Sequence, residues 1–212
     1  MPSKVVNQEE WLQARLALLA KEEELLQLSQ KVTAERASLP MTLVAESYSF
    51  TGPNGTLNLK DLFEDKHQLI MQHVMFEPDK DAGCEYCQYH LDNLPANFKH
   101  LYEANTMYVI VTRAPYEKMA AFYKDKLGSQ VPYYSSFGSK FNYDYNVTLD
   151  PDVKKPVYNF KETNRKGEQP GLSVFYRDGD EIYHTYSSFD SNLDLLMPTA
   201  ALLDLTPLGR QD

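Results

Sequence analysis

The stretch His67 to Leu91, HQLIMQHVMFEPDKDAGCEYCQYHL, decides how this chain is read. Its first ten residues, HQLIMQHVMF, are mostly apolar and short, the pattern of a strand buried in a sheet. A polar loop, Glu77 to Gly83, follows. Then come Cys84 and Cys87, the only two cysteines in the chain, at the head of a segment whose Leu91, Leu94, Phe98 and Leu101 have helical spacing. Pro95 falls inside that segment and is expected to kink or interrupt the helix.

Outward from this point the pattern alternates. TMYVIVTR is a second apolar strand, PYEKMAAFYKDKLG a helix opened by Pro115 and closed near Gly128, and VPYYSSF a third short strand. Strand, helix, strand, helix, strand implies right-handed crossovers and a parallel sheet core. GLSVFYRDGDEIYHTYSSF then reads as an antiparallel hairpin turning at Asp178-Gly179, and TLVAESYSF with LNLKDLF as an earlier hairpin around Pro53-Asn54-Gly55. A last helix, SNLDLLMPTAALLDLTP, is expected to bend at Pro198. The fold class is therefore α/β, with a mixed central sheet.

Residues 1–40 stand apart from residues 41–212 as a helical extension to the domain. Asn7 followed by Glu10 resembles a capping box, and Pro40 supplies a stop. Trp11 and Leu12, Leu18 and Leu19, Leu25 and Leu26, then Val32 recur every seven residues, which reads as one apolar stripe. Such a stripe has to be covered, by its own domain or by a helix of another subunit, so a homo-oligomer through this helix is one expectation.

Bulk properties remove several function classes. The net charge of −9 argues against a nucleic-acid binder, whose affinity comes from basic residues on phosphates. Lys154, Lys155, Lys161, Arg165 and Lys166 are interleaved with Asp150, Asp152 and Glu162 and read as a solvated loop. There is no apolar run of about 18 residues for a membrane span, and MPSKVVNQEEWLQ shows no secretory pattern. The expected location is the cytoplasm, where thiols stay reduced and two neighbouring cysteines point to chemistry more than to a staple.

Placement sharpens the meaning of the two cysteines. At a helix N-terminus the unpaired amides and the macrodipole stabilise an anion, which favours the Cys84 thiolate. Cys87 lies one turn deeper on the same face, within disulfide reach. An attacking thiol and a resolving thiol fit this arrangement, and a C-x-x-C beside a βαβ pattern is the thioredoxin arrangement.

The order of elements around GCEYC is similar to a thioredoxin-like family catalogued as a domain of unknown function, found in bacteria and fungi. SSFGSKFNYDYNV, GLSVFYRDGDEIYHTYSSFD, the opening EEWLQARLALLAKEEELLQ and the ending LDLTPLGRQD carry the same resemblance, which therefore covers nearly the whole chain. It implies a thioredoxin-like fold and dithiol-disulfide activity with Cys84 and Cys87 as catalytic residues. The family's motif usually has proline after the first cysteine. Here Glu85 stands there, a carboxylate that opposes thiolate formation. Tyr86 resembles the tyrosine of the glutaredoxin motif C-P-Y-C. In thioredoxin-like proteins a cis proline faces the dithiol, and the resemblance points to Pro170 for that role, with a plain strand-entry proline as the alternative. Glu85, Tyr86 and Pro170 are thus the expected binding residues.

Other chemistries fit less well. Cys84, Cys87, His90 and His100 include two thiols and two imidazoles, but a closed zinc site commonly draws on two separated knuckles and there is no second cysteine pair. Gln88 breaks the haem pattern C-x-x-C-H. The peroxiredoxin-like pattern P-x-x-x-[ST]-x-x-C fails at Pro78 and Ala82. His67, His73 and His184 read as structural, and Tyr133, Tyr134, Phe137, Phe141, Tyr143 and Tyr145 as packing. No phosphate loop or dinucleotide fingerprint is present, so no cofactor and no metal are expected, and electrons should come from a protein or small-molecule thiol or disulfide. A thiol-disulfide oxidoreductase is the first reading; a non-catalytic interaction scaffold is the alternative.

Overall fold

The computed structural model describes residues 4–124 and 131–211. The chain falls into two compact units, Met41–Thr199, and Met1–Pro40 together with Ala200–Asp212. The last residues, Ala200–Asp212, group with the N-terminal segment.

In chain order the elements are α1 (Gln8–Ala37), β1 (Thr42–Leu43), β2 (Ser49–Gly52), β3 (Gly55–Asn58), β4 (Gln68–His73), α2 (Glu85–Asp92) and α3 (Lys99–Glu103). β5 (Thr106–Thr112), α4 (Tyr116–Tyr123), β6 (Tyr133–Ser135), α5 (Phe141–Asp144), β7 (Thr148–Leu149), β8 (Val157–Tyr158), β9 (Lys161–Glu162) and β10 (Gly167–Glu168) follow. β11 (Gly171–Asp178), β12 (Glu181–Phe189), a 3-10 turn (Asp190–Leu196) and α6 (Pro198–Asp204) end the chain.

The main sheet has eight strands in the order β1-β12-β11-β4-β5-β6-β2-β3. β4, β5 and β6 are parallel, and β11 returns antiparallel against β4. A central β4 with a helical crossover to β5 on one side and a C-terminal hairpin on the other is the thioredoxin-like arrangement. All seven residues of β5 are buried, as a parallel strand covered on both faces requires. Met107, Val109 and Val111 pack with Leu69, Met71, Phe50, Phe141 and Phe175 on one face. Tyr108 and Ile110 pack with Val74, Phe76, Cys87, Leu91, Met119 and Tyr123 on the other. Cys87 is therefore part of the layer between the sheet and helices α2 and α4.

Local signals explain the joints. The β11–β12 hairpin turns through Gly179 and Asp180, with Gly179 at φ 59°, a region only glycine enters freely. The segment after the cysteines splits into α2 and α3, with Pro95 in the gap. Pro198 begins α6 instead of bending a longer helix, because its missing N–H costs nothing in a first turn. The basic segment read as a loop contains the small β8–β9 hairpin. The expected closure of α4 near Gly128 lies outside the described residues.

α1 begins where Asn7 Oδ1 accepts from the Glu10 N–H at 2.9 Å, half of the expected capping box. Its stripe departs from expectation: no residue of α1 is buried. At 100° per residue, Trp11, Leu18, Leu25 and Val32 form one line and Leu12, Leu19 and Leu26 another. Arg15, Glu22 and Ser29 run between the two lines, and Leu16 and Leu28 lie off them on other sides. The helix thus has two apolar rows flanking a polar seam.

Candidate active site

The dithiol is held by the backbone that continues from β4. The Val74 N–H donates to the Val111 carbonyl at 2.9 Å, and Thr112 Oγ1 donates to the Phe76 carbonyl at 3.2 Å. Met75 between them serves both cysteines. Its carbonyl accepts from the Cys84 N–H at 3.0 Å, and its own N–H donates to Cys87 Sγ at 3.3 Å. Lys118 of α4 pins the intervening loop, donating Nζ to the carbonyls of Pro78 at 3.0 Å and Lys80 at 2.6 Å. Gly83 is required by contact: a Cβ there would stand 2.9 Å from Tyr123 Oη and 3.1 Å from the Phe122 ring.

Cys84 occupies the N-cap of α2 and is half-buried, while Cys87 is buried with 2 % exposure. Both are free thiols. Their environments drive them apart. The Cys84 thiol is drawn down to about 6, first by the Cys87 thiol as hydrogen-bond donor and then, against some desolvation, by the amides of Cys87 and Tyr86. No side-chain cap hydrogen bond closes at Cys84, so these amides act as oriented dipoles more than as formed bonds. Glu85 pushes the other way, but it is exposed and is the smallest influence. Cys87 moves up, because it donates to Cys84, is desolvated and feels the Cys84 charge; only the Met75 N–H opposes this.

Around the thiols lies a polar fringe that only the tertiary fold assembles. Tyr86 is 43 % exposed, and its hydroxyl donates to Asp194 Oδ1 at 2.6 Å. The same oxygen is 3.8 Å from His90 Nε2, and the Tyr86 and His90 rings meet edge-on at 4.8 Å. His90 is buried and its pKa is lowered, chiefly by desolvation and despite Asp194. His73, the last residue of β4, places Nε2 2.9 Å from Ser173 Oγ. Ser173 Oγ is 3.2 Å from Ser187 Oγ, which is 2.8 Å from His184 Nε2. Burial holds His73 down at about 3, so it stays neutral and structural.

The register places Pro170 at the carboxyl end of β4, where the dithiol loop departs, since Gly171 pairs with His73. Its carbonyl accepts from the Tyr158 hydroxyl at 2.7 Å. No peptide bond among the described residues is cis, so the Pro170 bond is trans and the cis expectation is corrected. Gly171 explains the fit differently: a Cβ there would lie 2.7 Å from Val147 and 3.2 Å from Phe189, so close packing sets the backbone path. His100 is exposed and sits 3.3 Å from Glu103, and no group of three or more His, Cys, Asp or Glu able to hold a metal forms among the described residues. Phe141 is core, with rings of Tyr48 and Phe50 at 5.0 and 4.9 Å.

A second ionisable cluster escapes sequence reasoning altogether. Arg113, directly after β5, places Nε 3.1 Å from Glu168 Oε1. Thr148 Oγ1 lies 2.9 Å from both Glu168 oxygens, and Asn142 Nδ2 donates to Oε2 at 3.3 Å. Ser136 Oγ donates to Asn142 Oδ1 at 2.7 Å, and Arg113 Nη1 donates to the Tyr143 hydroxyl. Burial raises Glu168 to about 7 against the pull of Arg113, Thr148 and Asn142. Lys118, Tyr123 and Asp194 were equally invisible, because each reaches the site from a distant segment with no local motif.

Among solved structures the chain is similar to Xanthomonas campestris peroxiredoxin Q, at 13% identity over 75% of this chain and 94% of that one, with a TM-score of 0.49. It is also similar to Enterococcus faecalis AhpC, at 11% identity over 72% and 80% with a TM-score of 0.48. Mycobacterium tuberculosis peroxidoxin BcpB gives 15% identity over 74% and 93%, with a TM-score of 0.43. No curated protein matches the chain. The profile that covers residues 1–212 is that of a bacterial protein of unknown function (DUF899), and the chain belongs to this family.

Proposed function

We propose that this protein is a thiol-disulfide oxidoreductase in which Cys84 attacks and Cys87 resolves. The observation that carries this reading is the inequality of the two thiols: a half-exposed Cys84 with its pKa at about 6 beside a buried Cys87 pushed upward. Near neutral pH Cys84 is mostly thiolate, the form that attacks. Its sulfur bonds to one sulfur of a substrate disulfide as the substrate S–S bond breaks, and the departing thiolate takes a proton from water. Cys84 is then uncharged and no longer accepts from Cys87, so two influences that raise the Cys87 pKa disappear while the Met75 N–H remains. Cys87 releases its proton to water and attacks Cys84 Sγ. The enzyme disulfide forms, the second substrate thiolate leaves and is protonated, and two electrons have passed to the substrate. An external thiol, protein or small molecule, restores the dithiol.

Tyr86 and Glu85 are exposed beside Cys84, and Pro170 is half-buried at the same sheet end; they are the residues offered to a substrate backbone. The substrate is a protein or small-molecule disulfide in the cytoplasm, and no bound cofactor takes part. Alkylation at limiting reagent near neutral pH, read by mass spectrometry, should label Cys84 first. Cys87→Ser should trap a mixed disulfide with a model substrate that Cys84→Ser cannot form. Equal labelling, or no intramolecular disulfide under mild oxidation, would leave a binding scaffold as the better account.

A further inference from the structure

The apolar rows of α1 have a symmetry along the helix. Trp11, Leu12, Leu18, Leu19, Leu25, Leu26 and Val32 are between 40 and 66 % exposed, more apolar surface along two neighbouring rows than a soluble helix leaves bare. The first six of these are symmetric about the bond between Leu18 and Leu19. Turning a second helix end over end about that point sets Trp11 opposite Leu26, Leu12 opposite Leu25, and Leu18 opposite Leu19. The same operation sets Arg15 opposite Glu22. In the single chain these two already pair along the seam, Arg15 Nη2 to Glu22 Oε2 at 2.8 Å, with both side chains about two-fifths exposed.

We infer that two copies of this chain associate through an antiparallel pairing of α1 helices, with the leucine rows as its dry flanks and Arg15–Glu22 pairs across its seam. The orientation follows from charge. A parallel pair in register would put Arg15 against Arg15 and Glu22 against Glu22, whereas the antiparallel pair matches opposite charges twice. An isologous interface needs one self-complementary patch, which this spacing supplies and a foreign helix would not require. The seven-residue period keeps the rows facing the partner along the helix with a slight left-handed supercoil. About the bond between Leu18 and Leu19 the two α1 helices overlap over residues 8–29, a contact of roughly 33 Å at 1.5 Å per residue.

The test uses the full-length protein in sedimentation equilibrium over a concentration series, with the emission of Trp11, the only tryptophan, as a second readout. The wild type should be a dimer whose Trp11 emission shifts to the red on dilution. Arg15→Glu should weaken the dimer at least about tenfold, since each seam position then meets a like charge. The double variant Arg15→Glu with Glu22→Arg should restore it, because the antiparallel match is re-formed with signs reversed. In a parallel pair neither change would matter, as like charges face each other throughout. Far-ultraviolet circular dichroism checks that each variant keeps its helix. A chain that stays monomeric to about 100 μM overturns the inference and leaves the rows to a different protein. A dimer indifferent to Arg15→Glu, or one the double variant fails to recover, overturns it as well.

Discussion

Two ionisable pairs are anchored at the carboxyl ends of neighbouring parallel strands, the dithiol after β4 and Arg113 after β5 with Glu168 of β10, and they differ in what satisfies them. Glu168 is surrounded by fixed partners: a guanidinium, a hydroxyl and an amide, which are themselves tied to Tyr143 and Ser136. Cys84 has no fixed side-chain partner, and its pKa is drawn down chiefly by the neighbouring Cys87 thiol. A buried charge with permanent partners is a structural clamp. A charge balanced by a proton that can leave is poised for reaction.

Breaking the clamp should have the largest effect. Arg113→Ala strands the Glu168 carboxyl without its cation, and should cost about 3 kcal/mol of stability, the size typical when one partner of a buried pair is lost. Calorimetry should show a fall of roughly 6–12 °C in Tm, while the alkylation midpoint of Cys84 stays near 6. A variant with unchanged stability would mean that the cluster is not a clamp.

Removing the neighbouring thiol comes next. Cys87→Ala deletes the largest influence on Cys84, so the midpoint of its alkylation against pH should move from about 6 toward the ordinary 9.0. At pH 7 the reaction should slow by up to about a hundredfold through loss of thiolate. A midpoint that stays put would show that the helix amides alone hold the charge.

A smaller effect is expected from pH on the clamp itself. The folded-state pKa of Glu168 is raised from 4.5 to about 7, so between these values the folded chain holds a proton that the unfolded chain has released. Its contribution to stability is full below 4.5 and is lost as pH rises through 7. Glu168→Gln should flatten that part of the stability profile measured by denaturant titration. The smallest effect belongs to Glu85→Gln, which should move the Cys84 midpoint downward by less than Cys87→Ala moves it upward, because the carboxylate is exposed to solvent and screened.

Much of the fold was legible because its signals are local. An apolar six-residue strand, a Pro before a helix, a Gly at a tight turn and a capping Asn each act within a few residues, and β4, α4, the β11–β12 hairpin and α1 follow them. The candidate thiols were legible for the same reason: the order strand, loop, cysteine, helix fixes which sulfur meets the helix terminus. α1 shows where a periodic pattern misleads. Its seven-residue rows are real, but the polar seam between them is seen only when the angles are drawn, and whether anything covers them is a property of the neighbours and not of the helix.

From sequence alone came the fold class and the place of Cys84 at the head of a helix. Only the tertiary structure decided the Met75 backbone that serves both sulfurs, the Lys118 clamp on their loop, the Tyr86–Asp194 contact, the Glu168 cluster and the trans bond at Pro170. The reason is range. Backbone propensity and hydrophobic period act over one or two turns, whereas desolvation and hydrogen bonding at a buried group depend on atoms brought together from positions as far apart as Tyr86 and Asp194.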